Sequence, residues 1–342
     1  MLVTMKFTPR LVQRPYGPRF KRTAALAVIV AAFACGASGC HFLFGYSSSE
    51  PLLLPSTPKP LAALNTPFND FNAAAPDTAG GDLVFSSDRG SRGRHFDLWG
   101  ASLHFEEDKV SVISVQPVST HAMSPADELG PTRHRGLLVV SSDRPGGAGG
   151  MDLYKWTEDP GTVTRIGGKV EPLPPSMPTP LAGVNTPAYE GYWATTEDAG
   201  FAMFASDRGG HKLDAYRLIP PLGATNPDKP ASITRDEVLS TQYDETAFFM
   251  FDDQGKRYLF FASNRPGGRG DYDLYCSRHQ DGSWLPPKPL SYANSPAKDF
   301  RPIVISGYFK DVLLFSSDRP GGQGGMDLYY VALNNPCQPA SD

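Results

Sequence analysis

A motif that recurs five times along the chain constrains its fold more than any other feature. In its fullest form, from Val312 to Tyr330, an apolar run ends in Ser-Asp-Arg, a Gly-rich turn follows, and a second apolar run opens at Asp327. Apolar, β-branched and aromatic residues on both sides of such a turn predict two antiparallel strands. A lone hairpin is only marginally stable in water, so we expect the five hairpins to pack against one another.

Each copy carries an Asp or Asn, an Arg directly after it, and an Asp at the start of the second strand. In chain order these residues are Asp88, Arg89 and Asp97; Asp143, Arg144 and Asp152; Asp207, Arg208 and Asp214; Asn264, Arg265 and Asp273; and Asp318, Arg319 and Asp327. Successive arginines are 55, 64, 57 and 54 residues apart. Self-similarity on this scale, with short strands and Gly-rich turns, predicts an all-β fold of the β-propeller type.

A second repeated element precedes the hairpins and completes the unit. Residues 60–67, 180–187 and 289–296 each start with Pro-Leu and end with Asn-Thr-Pro or Asn-Ser-Pro. Each unit then contains four short strands, the content of one propeller blade. The chain starts with a surplus strand and ends one strand short, so we expect five blades, with an N-terminal strand at about residues 59–64 closing the last one. Six blades are the alternative, if a degenerate unit lies between residues 155 and 200.

The first 39 residues have the pattern of a secretory signal peptide. Basic residues precede an apolar core at residues 23–33, and small residues follow it, as is typical of such signals. Residues 37–40, Ala-Ser-Gly-Cys, resemble the lipobox of bacterial lipoproteins, which implies acylation (palmitate) of Cys40. His41, which is not Asp, implies by the same resemblance a lipid-anchored protein of the cell outer membrane that faces the periplasm. The alternative is a soluble periplasmic or secreted protein.

These patterns divide the chain into a signal peptide at 1–39, a lipid-anchored flexible linker at 40–58, a β-propeller at 59–335 and a C-terminal tail at 336–342. The net charge is −4, and removal of the signal, whose charged residues are all basic, makes it more negative. An acidic domain is not expected to bind nucleic acid. Cys276 and Cys337 either form one disulfide or remain two thiols.

Acidic residues recur where each innermost strand should begin. These channel-mouth candidates are Asp70, Glu128, Glu190, Asp244 (or its neighbour Glu245) and Asp299. One interpretation is a ligand or cation site, or a pair of acids for glycoside chemistry. The other, which we favour, is that each acid pairs with the Arg of an Asp-Arg turn.

The Asp-Arg turns are themselves expected to be structural, because five equivalent copies suit a scaffold better than a reaction centre. Gly-rich Asp turns also occur in calcium loops, so calcium is the alternative to a protein without cofactors. The sequence contains no phosphate-binding loop, no nucleophile elbow and no zinc-protease motif. We therefore predict no catalytic residue and no metal site.

The pattern Phe-Ser-Ser-Asp-Arg-Pro-Gly-Gly-x-Gly-Gly-Met-Asp-Leu-Tyr at residues 315–329 resembles the WD40-like (PD40) repeats of TolB-type bacterial envelope propellers. The resemblance implies a non-catalytic outer-membrane lipoprotein whose propeller is a scaffold for protein–protein interaction with other envelope proteins. Aromatic residues unique to single repeats are then candidates for contacts or for blade packing: Tyr189, Tyr192, Trp193 and Trp284. The alternative function is a carbohydrate-binding or glycan-cleaving propeller that uses acids at the channel mouth, with peptidoglycan or another glycan as its partner.

Overall fold

The computed structural model describes residues 54–74, 82–105, 109–118, 123–134, 136–157, 162–164, 170–172, 177–181, 183–196, 201–210, 212–219, 232–306, 311–333 and 336–337. The expected signal peptide, Cys40, most of the linker and the last five residues lie outside these ranges. Within them the secondary structure consists of strands and turns, and no helix is of a length and hydropathy to cross a membrane.

Five antiparallel sheets form the blades of a propeller, as the sequence predicts; four of them have four strands, and in blade 4 two short strands share the fourth position. From inner to outer strand, blade 1 contains β2 (Asp70–Ala74), β3 (Asp82–Ser87), β4 (Asp97–Phe105) and β5 (Val110–Pro117); blade 2 contains β6 (Glu128–His134), β7 (Leu137–Ser142), β8 (Asp152–Thr157) and β11 (Thr179–Pro180); and blade 3 contains β12 (Glu190–Thr195), β13 (Ala202–Ser206), β14 (Asp214–Ile219) and β15 (Ser232–Arg235). Blade 4 contains β16 (Glu245–Asp253), β17 (Lys256–Ser263) and β18 (Asp273–Gln280), with its outer edge shared by β19 (Ser283–Trp284) and β20 (Lys288–Pro289); blade 5 contains β21 (Asp299–Ser306), β22 (Asp311–Ser317), β23 (Asp327–Ala332) and β1 (Lys59–Pro60).

The N-terminal strand closes the ring, which confirms the prediction. Lys59 and Pro60 pair antiparallel with Tyr330 and Tyr329 of β23, so the start of the chain supplies the outer strand of the last blade. The side chain of Asn65 extends this contact through a pair of hydrogen bonds, both 3.0 Å long, to the backbone N–H and C=O of Leu328. The closing contact joins residues more than 260 positions apart in sequence.

The segment between the third and the outer strand of blade 2 holds an extra hairpin rather than a sixth blade. Its strands are β9 (Thr162–Thr164) and β10 (Val170–Pro172), which pair with each other in a separate two-stranded sheet. A disulfide joins Cys276 of β18 to Cys337, with their Cα atoms 5.0 Å apart. The bond ties the chain after the last strand back to blade 4.

The hydrophobic core lies between neighbouring blades. The apolar run before each Asp-Arg turn supplies its centre, because alternate side chains of a strand face the two adjacent blades. Phe204 of blade 3, for example, is fully buried in a cluster with Val139 and Leu153 of blade 2. Phe315 of blade 5 packs in the same way with Phe260 and Leu274 of blade 4.

We predict that Leu61→Ala destabilises the whole propeller, because Leu61 follows the closing strand and is 2% exposed in the core between blades 5 and 1. The expected loss is about 2–5 kcal/mol of unfolding free energy, typical of a buried Leu reduced to Ala. Denaturant unfolding measures it, and Ile113→Ala, at a residue that is 69% exposed, is the control. Equal midpoints for Leu61→Ala and wild type would show that the N-terminal segment does not close the ring.

Candidate functional site

Each inner strand begins with a buried carboxylate that pairs with the Arg of its own blade. The shortest N–O distances are 2.5 Å for Asp70–Arg89, 2.8 Å for Glu128–Arg144, 3.0 Å for Glu190–Arg208, 3.0 Å for Glu245–Arg265 and 2.5 Å for Asp299–Arg319. All five carboxylate side chains are 0% exposed. The acids therefore turn into their blades, and the structure gives the pairing arrangement rather than a ring of free carboxylates.

Blade 3 shows how the repeated sequence builds the carboxylate side of this contact. Thr186, in the Asn-Thr-Pro turn, donates to Glu190 from its backbone N–H and from its hydroxyl, both at 2.7 Å. The hydroxyl of Ser206, two residues before the Arg, donates to the same carboxylate at 2.9 Å. Two parts of the unit that recur along the chain, the turn and the Ser-Asp-Arg sequence, thus both hydrogen-bond or pair with one buried carboxylate.

The arginine side of the contact is equally well satisfied. Arg208 donates from one Nη to the carbonyl oxygen of Val184 at 2.7 Å as well as to the acid. Its guanidinium carbon lies 4.9 Å and 5.1 Å from the ring centroids of Phe204 and Tyr216. These cation–π contacts are favourable where the guanidinium is partly removed from water.

The fourth blade places Glu245, rather than Asp244, at the position of the paired acid. Asp244 instead accepts hydrogen bonds from the backbone N–H of Leu213 at 3.0 Å and from the hydroxyl of Tyr272 at 2.8 Å. Adjacent strand residues face opposite sides, so a register error of one residue moves the acid away from Arg265. Sequence spacing alone did not choose between these neighbours.

The Asp or Asn before each Arg holds the backbone just ahead of the paired acid. Its side-chain oxygen accepts that backbone N–H at 2.7–2.8 Å in every blade: Asp88 from Asn69, Asp143 from Asp127, Asp207 from Tyr189, Asn264 from Asp244 and Asp318 from Lys298. This repeated cap links the turn after the second strand to the start of the first.

The Asp that opens the third strand serves a Gly-rich loop in blades 2, 4 and 5. Asp152, Asp273 and Asp327 each accept two loop amides at 2.6–3.1 Å. A Cβ at Gly149 or Gly324 would lie 2.7 Å or 1.8 Å from a backbone oxygen of the following blade. Glycine is required because the loop touches that blade, and no group of three or more metal-ligating side chains converges in the described residues.

Arg301 of blade 5 closes the channel axis, and no comparison between the repeats marks this residue. Arg301 is 1% exposed and donates to the carbonyl oxygens of Phe248 at 2.8 Å and Pro131 at 2.7 Å, and to the Thr132 hydroxyl at 3.0 Å. A longer bond of 3.4 Å reaches the carbonyl oxygen of Ala73. This one side chain of blade 5 thus contacts blades 1, 2 and 4. Burial lowers the pKa of Arg301 to about 10, so the guanidinium is still charged at neutral pH.

A repeated backbone feature brings these axial side chains together. The residue two positions after each paired acid has a positive φ of 48–57°, where the ladder to the second strand is interrupted: Asn72, Gly130, Tyr192, Ala247 and Arg301. Such a bulge re-aims its side chain. Its position is visible in the sequence as an offset from the acid, but its residue type differs in every blade.

The ring of Tyr192 lies against the guanidinium of Arg301. Its ring centroid is 5.8 Å from the Arg301 guanidinium carbon, and its hydroxyl accepts a 3.4 Å hydrogen bond from the side-chain amide of Asn72. Tyr189 hydrogen-bonds to Tyr192, and burial raises the pKa of both hydroxyls. The two tyrosines stay neutral and form the floor of the opening above Arg301.

Half-buried aromatic rings surround the mouth above this floor. Phe71 and Phe96 meet edge to face with centroids 4.9 Å apart, and Tyr272 meets the buried Phe300 in the same way at 5.5 Å. The amine of Lys298 lies 5.0 Å and 4.9 Å from the latter two rings. Tyr189 and Tyr192 belong to this region, whereas Trp193 and Trp284, 2% and 3% exposed, pack inside the blades.

The junction between blades 1 and 2 departs from the repeat. Glu128 accepts from the Ser124 hydroxyl and from Arg144 through Oε1 alone, and its Oε2 is buried without a hydrogen-bond partner. Burial, opposed by those contacts and reinforced by the charge of Asp97, raises the pKa of Glu128 to about 7. In Glu190 and Glu245 the second oxygen accepts a turn amide.

Asp97 is the other irregular residue of this junction. Its counterpart in blade 3, Asp214, pairs with Arg235 at 2.9 Å, and the other three accept loop amides. Asp97 lies 3.6 Å from the Nε2 of His95 and keeps a 21% exposed side chain. Burial, with the nearby charge of Asp127, raises the pKa of Asp97.

Solved structures of two glycoside hydrolases share the fold. An endo-arabinase from Bacteroides thetaiotaomicron matches with a TM-score of 0.50 at 11% identity, over 85% of this chain and 100% of that chain. An alpha-L-arabinofuranosidase from Podospora anserina, in complex with cellotriose, matches with a TM-score of 0.50 at 11% identity, over 84% and 96% of the two chains. No protein-family model and no curated protein matches this chain. Identity this low shows the fold alone.

Two expectations from the sequence are corrected by these comparisons. The assignment to TolB-type propellers with PD40 repeats is wrong, because no family model matches and the similar structures are glycoside hydrolases. The expectation of a non-catalytic scaffold for protein–protein interaction is wrong for the same reason.

We predict that Glu128 makes the protein less stable as the pH rises from about 4.5 to 7. In this window the folded protein keeps a proton that the unfolded chain has released, so the free energy of unfolding falls with pH. Glu128→Gln removes the part of this dependence that comes from Glu128, worth up to about 3 kcal/mol at one pKa unit per 1.4 kcal/mol; the raised pKa values of Glu245 and Asp299, also caused by burial, keep the remainder. Urea unfolding from pH 4.5 to 8 measures it.

The control for this measurement is Glu237→Gln, since the Glu237 side chain is 77% exposed. This variant should keep the wild-type pH slope. A Glu128→Gln variant with the same slope as wild type would contradict the raised pKa.

Proposed function

We propose that the mouth of the central channel binds carbohydrate. The observation that carries the proposal is the group of half-buried aromatic side chains around a floor of Tyr189 and Tyr192, namely Phe71, Phe96 and Tyr272. Aromatic rings offer flat apolar surface, and tyrosines add a hydroxyl at the edge. A concave site lined by such rings, with a few placed polar groups, is the usual form of a small-ligand site.

Polar groups at the same mouth complement the hydroxyls of a sugar. Asp244 holds the Tyr272 hydroxyl in position, and the amine of Lys298 lies over the rings of Tyr272 and Phe300. Because Arg301 fills the axis, the opening is a bowl that ends on Tyr192 rather than a tunnel. A bowl of this kind suits a short stretch of a polysaccharide that crosses one face of the propeller.

The shared fold supports the same class of ligand. The two similar structures are named as an endo-arabinase and an arabinofuranosidase, the latter in complex with cellotriose. At 11% identity this is support from fold alone, and fold does not determine function. The aromatic mouth of this chain is therefore the stronger argument.

We predict that the mature protein binds at least one soluble glycan among arabinan, xylan, cello-oligosaccharides and peptidoglycan fragments. Tyr272→Ala and Phe96→Ala should each weaken binding about tenfold, because each removes a ring worth about 1.4 kcal/mol of contact. Isothermal titration calorimetry measures the affinities, with Ile113→Ala as the control on the far, outer strand of blade 1. Absence of binding to every glycan, or equal binding by all three variants, would refute the proposal.

Cleavage of the bound glycan is a second candidate function, favoured by Glu128. A carboxyl group with a pKa of about 7 is protonated often enough at neutral pH to act as a general acid. Asp97 is the adjacent carboxylate that would activate water. The side chain of Glu128 is 0% exposed, which is why binding is the leading proposal.

The same incubations separate the two functions. A cleaving enzyme releases reducing ends, and Glu128→Gln abolishes the release while Glu190→Gln, whose two carboxylate oxygens are both hydrogen-bonded, retains it. Glycan binding without any reducing ends identifies a binding protein.

The cellular location is a proposal from the sequence. We propose that Cys40 carries the lipid anchor and that the propeller faces the periplasm from the outer membrane. The glycan would then belong to the cell envelope.

A further inference from the structure

We infer that the mouth of the channel selects a glycan that contains uronic acids, with Lys298 as the group that binds the sugar carboxylate. This inference rests on the proposed function and adds the class of sugar. It is carried by the placement of Lys298, whose amine lies over two aromatic rings of the mouth and pairs with no carboxylate of the described residues.

Lys298 differs from its counterparts in the other blades. The residue directly before the paired acid is, in blades 1 to 5, Asn69, Asp127, Tyr189, Asp244 and Lys298. The side chains of Asn69, Asp127 and Asp244 each accept a backbone N–H of the preceding blade at 2.9–3.0 Å. An ammonium has no acceptor and cannot make this bond, so the Lys298 side chain does not join two blades in this way.

Aromatic rings hold the amine of Lys298 at the mouth. Its Nζ lies 5.0 Å from the ring centroid of Tyr272 and 4.9 Å from that of Phe300, and the residue is half-buried. An ammonium carries three N–H donors, and no described group accepts any of them. A donor that is already positioned loses less conformational freedom on binding than a free surface lysine.

A second positive charge lies below the same rings. Phe300 meets Tyr192 edge to face with centroids 5.5 Å apart, and the guanidinium carbon of Arg301 lies 5.8 Å from the centroid of Tyr192. The guanidinium donates to backbone carbonyl oxygens and one hydroxyl, and it has no carboxylate partner within the described ranges. A buried charge is screened only weakly, so Arg301 favours an anion over a cation above the floor.

The two carboxylates beside the mouth are occupied by hydrogen-bond donors of the protein. Asp244 accepts from the side-chain amide of Asn264 at 3.1 Å and from the hydroxyl of Tyr272 at 2.8 Å. Asp127 accepts a backbone N–H of blade 1 at 2.9 Å. These acids hold the structure together, whereas the amine of Lys298 is left for a ligand.

A uronic acid matches this arrangement. Its pyranose ring offers an apolar face to the aromatic side chains, and its carboxylate projects from the ring edge, where a charge-assisted hydrogen bond from Lys298 can reach it. The whole chain has a net charge of −4. A preference for an anion must therefore come from local positive charge rather than from the overall field.

The test compares cellohexaose with the glucuronic acid hexamer of the same backbone, which has a carboxylate in place of each hydroxymethyl group. Xylohexaose with and without glucuronic acid side groups forms a second pair. Calorimetry at pH 7 and low salt should show about tenfold tighter binding of the acidic member, equivalent to 1.4 kcal/mol. The ratio should fall in 0.5 M salt because screening weakens the charge contact.

Variants locate the preference. Lys298→Met removes the charge but keeps an unbranched side chain, so it should bring the acidic and neutral members within about threefold of each other. Lys298→Arg keeps the charge and should retain a preference. Lys288→Met removes an equal charge from the exposed outer edge of blade 4 and should leave the ratio at its wild-type value. Thermal melting of each variant verifies its fold.

The outcomes distinguish this inference from the proposed function. Equal affinity for the acidic and neutral members, or a preference that Lys298→Met leaves intact or that Lys288→Met abolishes equally, overturns the uronate site while glycan binding stands. Binding of arabinan or peptidoglycan fragments without binding of either acidic oligosaccharide also overturns it. Failure of the two pairs and of every other glycan to bind overturns both proposals.

Discussion

The fold depends on a carboxylate and a guanidinium that are buried together at the start of every inner strand. A carboxylate loses several kcal/mol of hydration on burial and is tolerated only when hydrogen bonds replace the water. Here the replacement comes from three different parts of one blade: the Asn-Thr-Pro turn, the serine at the end of the second strand, and the arginine. Because each partner is supplied by a different segment, the charge pair fixes how the segments meet.

The same constraint explains why the repeat is not itself the functional site. Five carboxylates on one ring would repel one another if they faced the channel, and the structure neutralises each within its blade. The axis is filled by Arg301, whose charge is satisfied by carbonyl oxygens of other blades. The blades differ from one another at the axis, at the irregular junction of Asp97 and Glu128, and at the mouth, where ligand recognition is proposed.

Repetition decides which parts of this account the sequence could predict. Recurring residues predict the hairpins and the acid–arginine pairs. The surplus strand at the start of the chain and the missing one at its end predict the closing N-terminal strand. The structure contains all three features. Arg301, Phe96 and Tyr272 occur once each, so no comparison between repeats marks them. The choice between Asp244 and Glu245 depended on a register that spacing does not specify. The prediction of a TolB-type interaction scaffold was wrong because the motif on which it rested describes how a blade is built and carries no information about the mouth of the channel.

A double-mutant cycle on Glu190 and Arg208 tests the central claim most directly. Glu190→Gln, Arg208→Met and the double variant are compared with wild type by denaturant unfolding. The reference is the surface pair of Glu237 and Arg235, in which Glu237 is 77% exposed and Arg235 also contacts Asp214. We expect a coupling energy of about 2–3 kcal/mol for the buried pair and less than about 1 kcal/mol for the exposed one. If the two single losses in the buried pair add to within about 0.5 kcal/mol, the charge pair does not organise the blade and the account is contradicted.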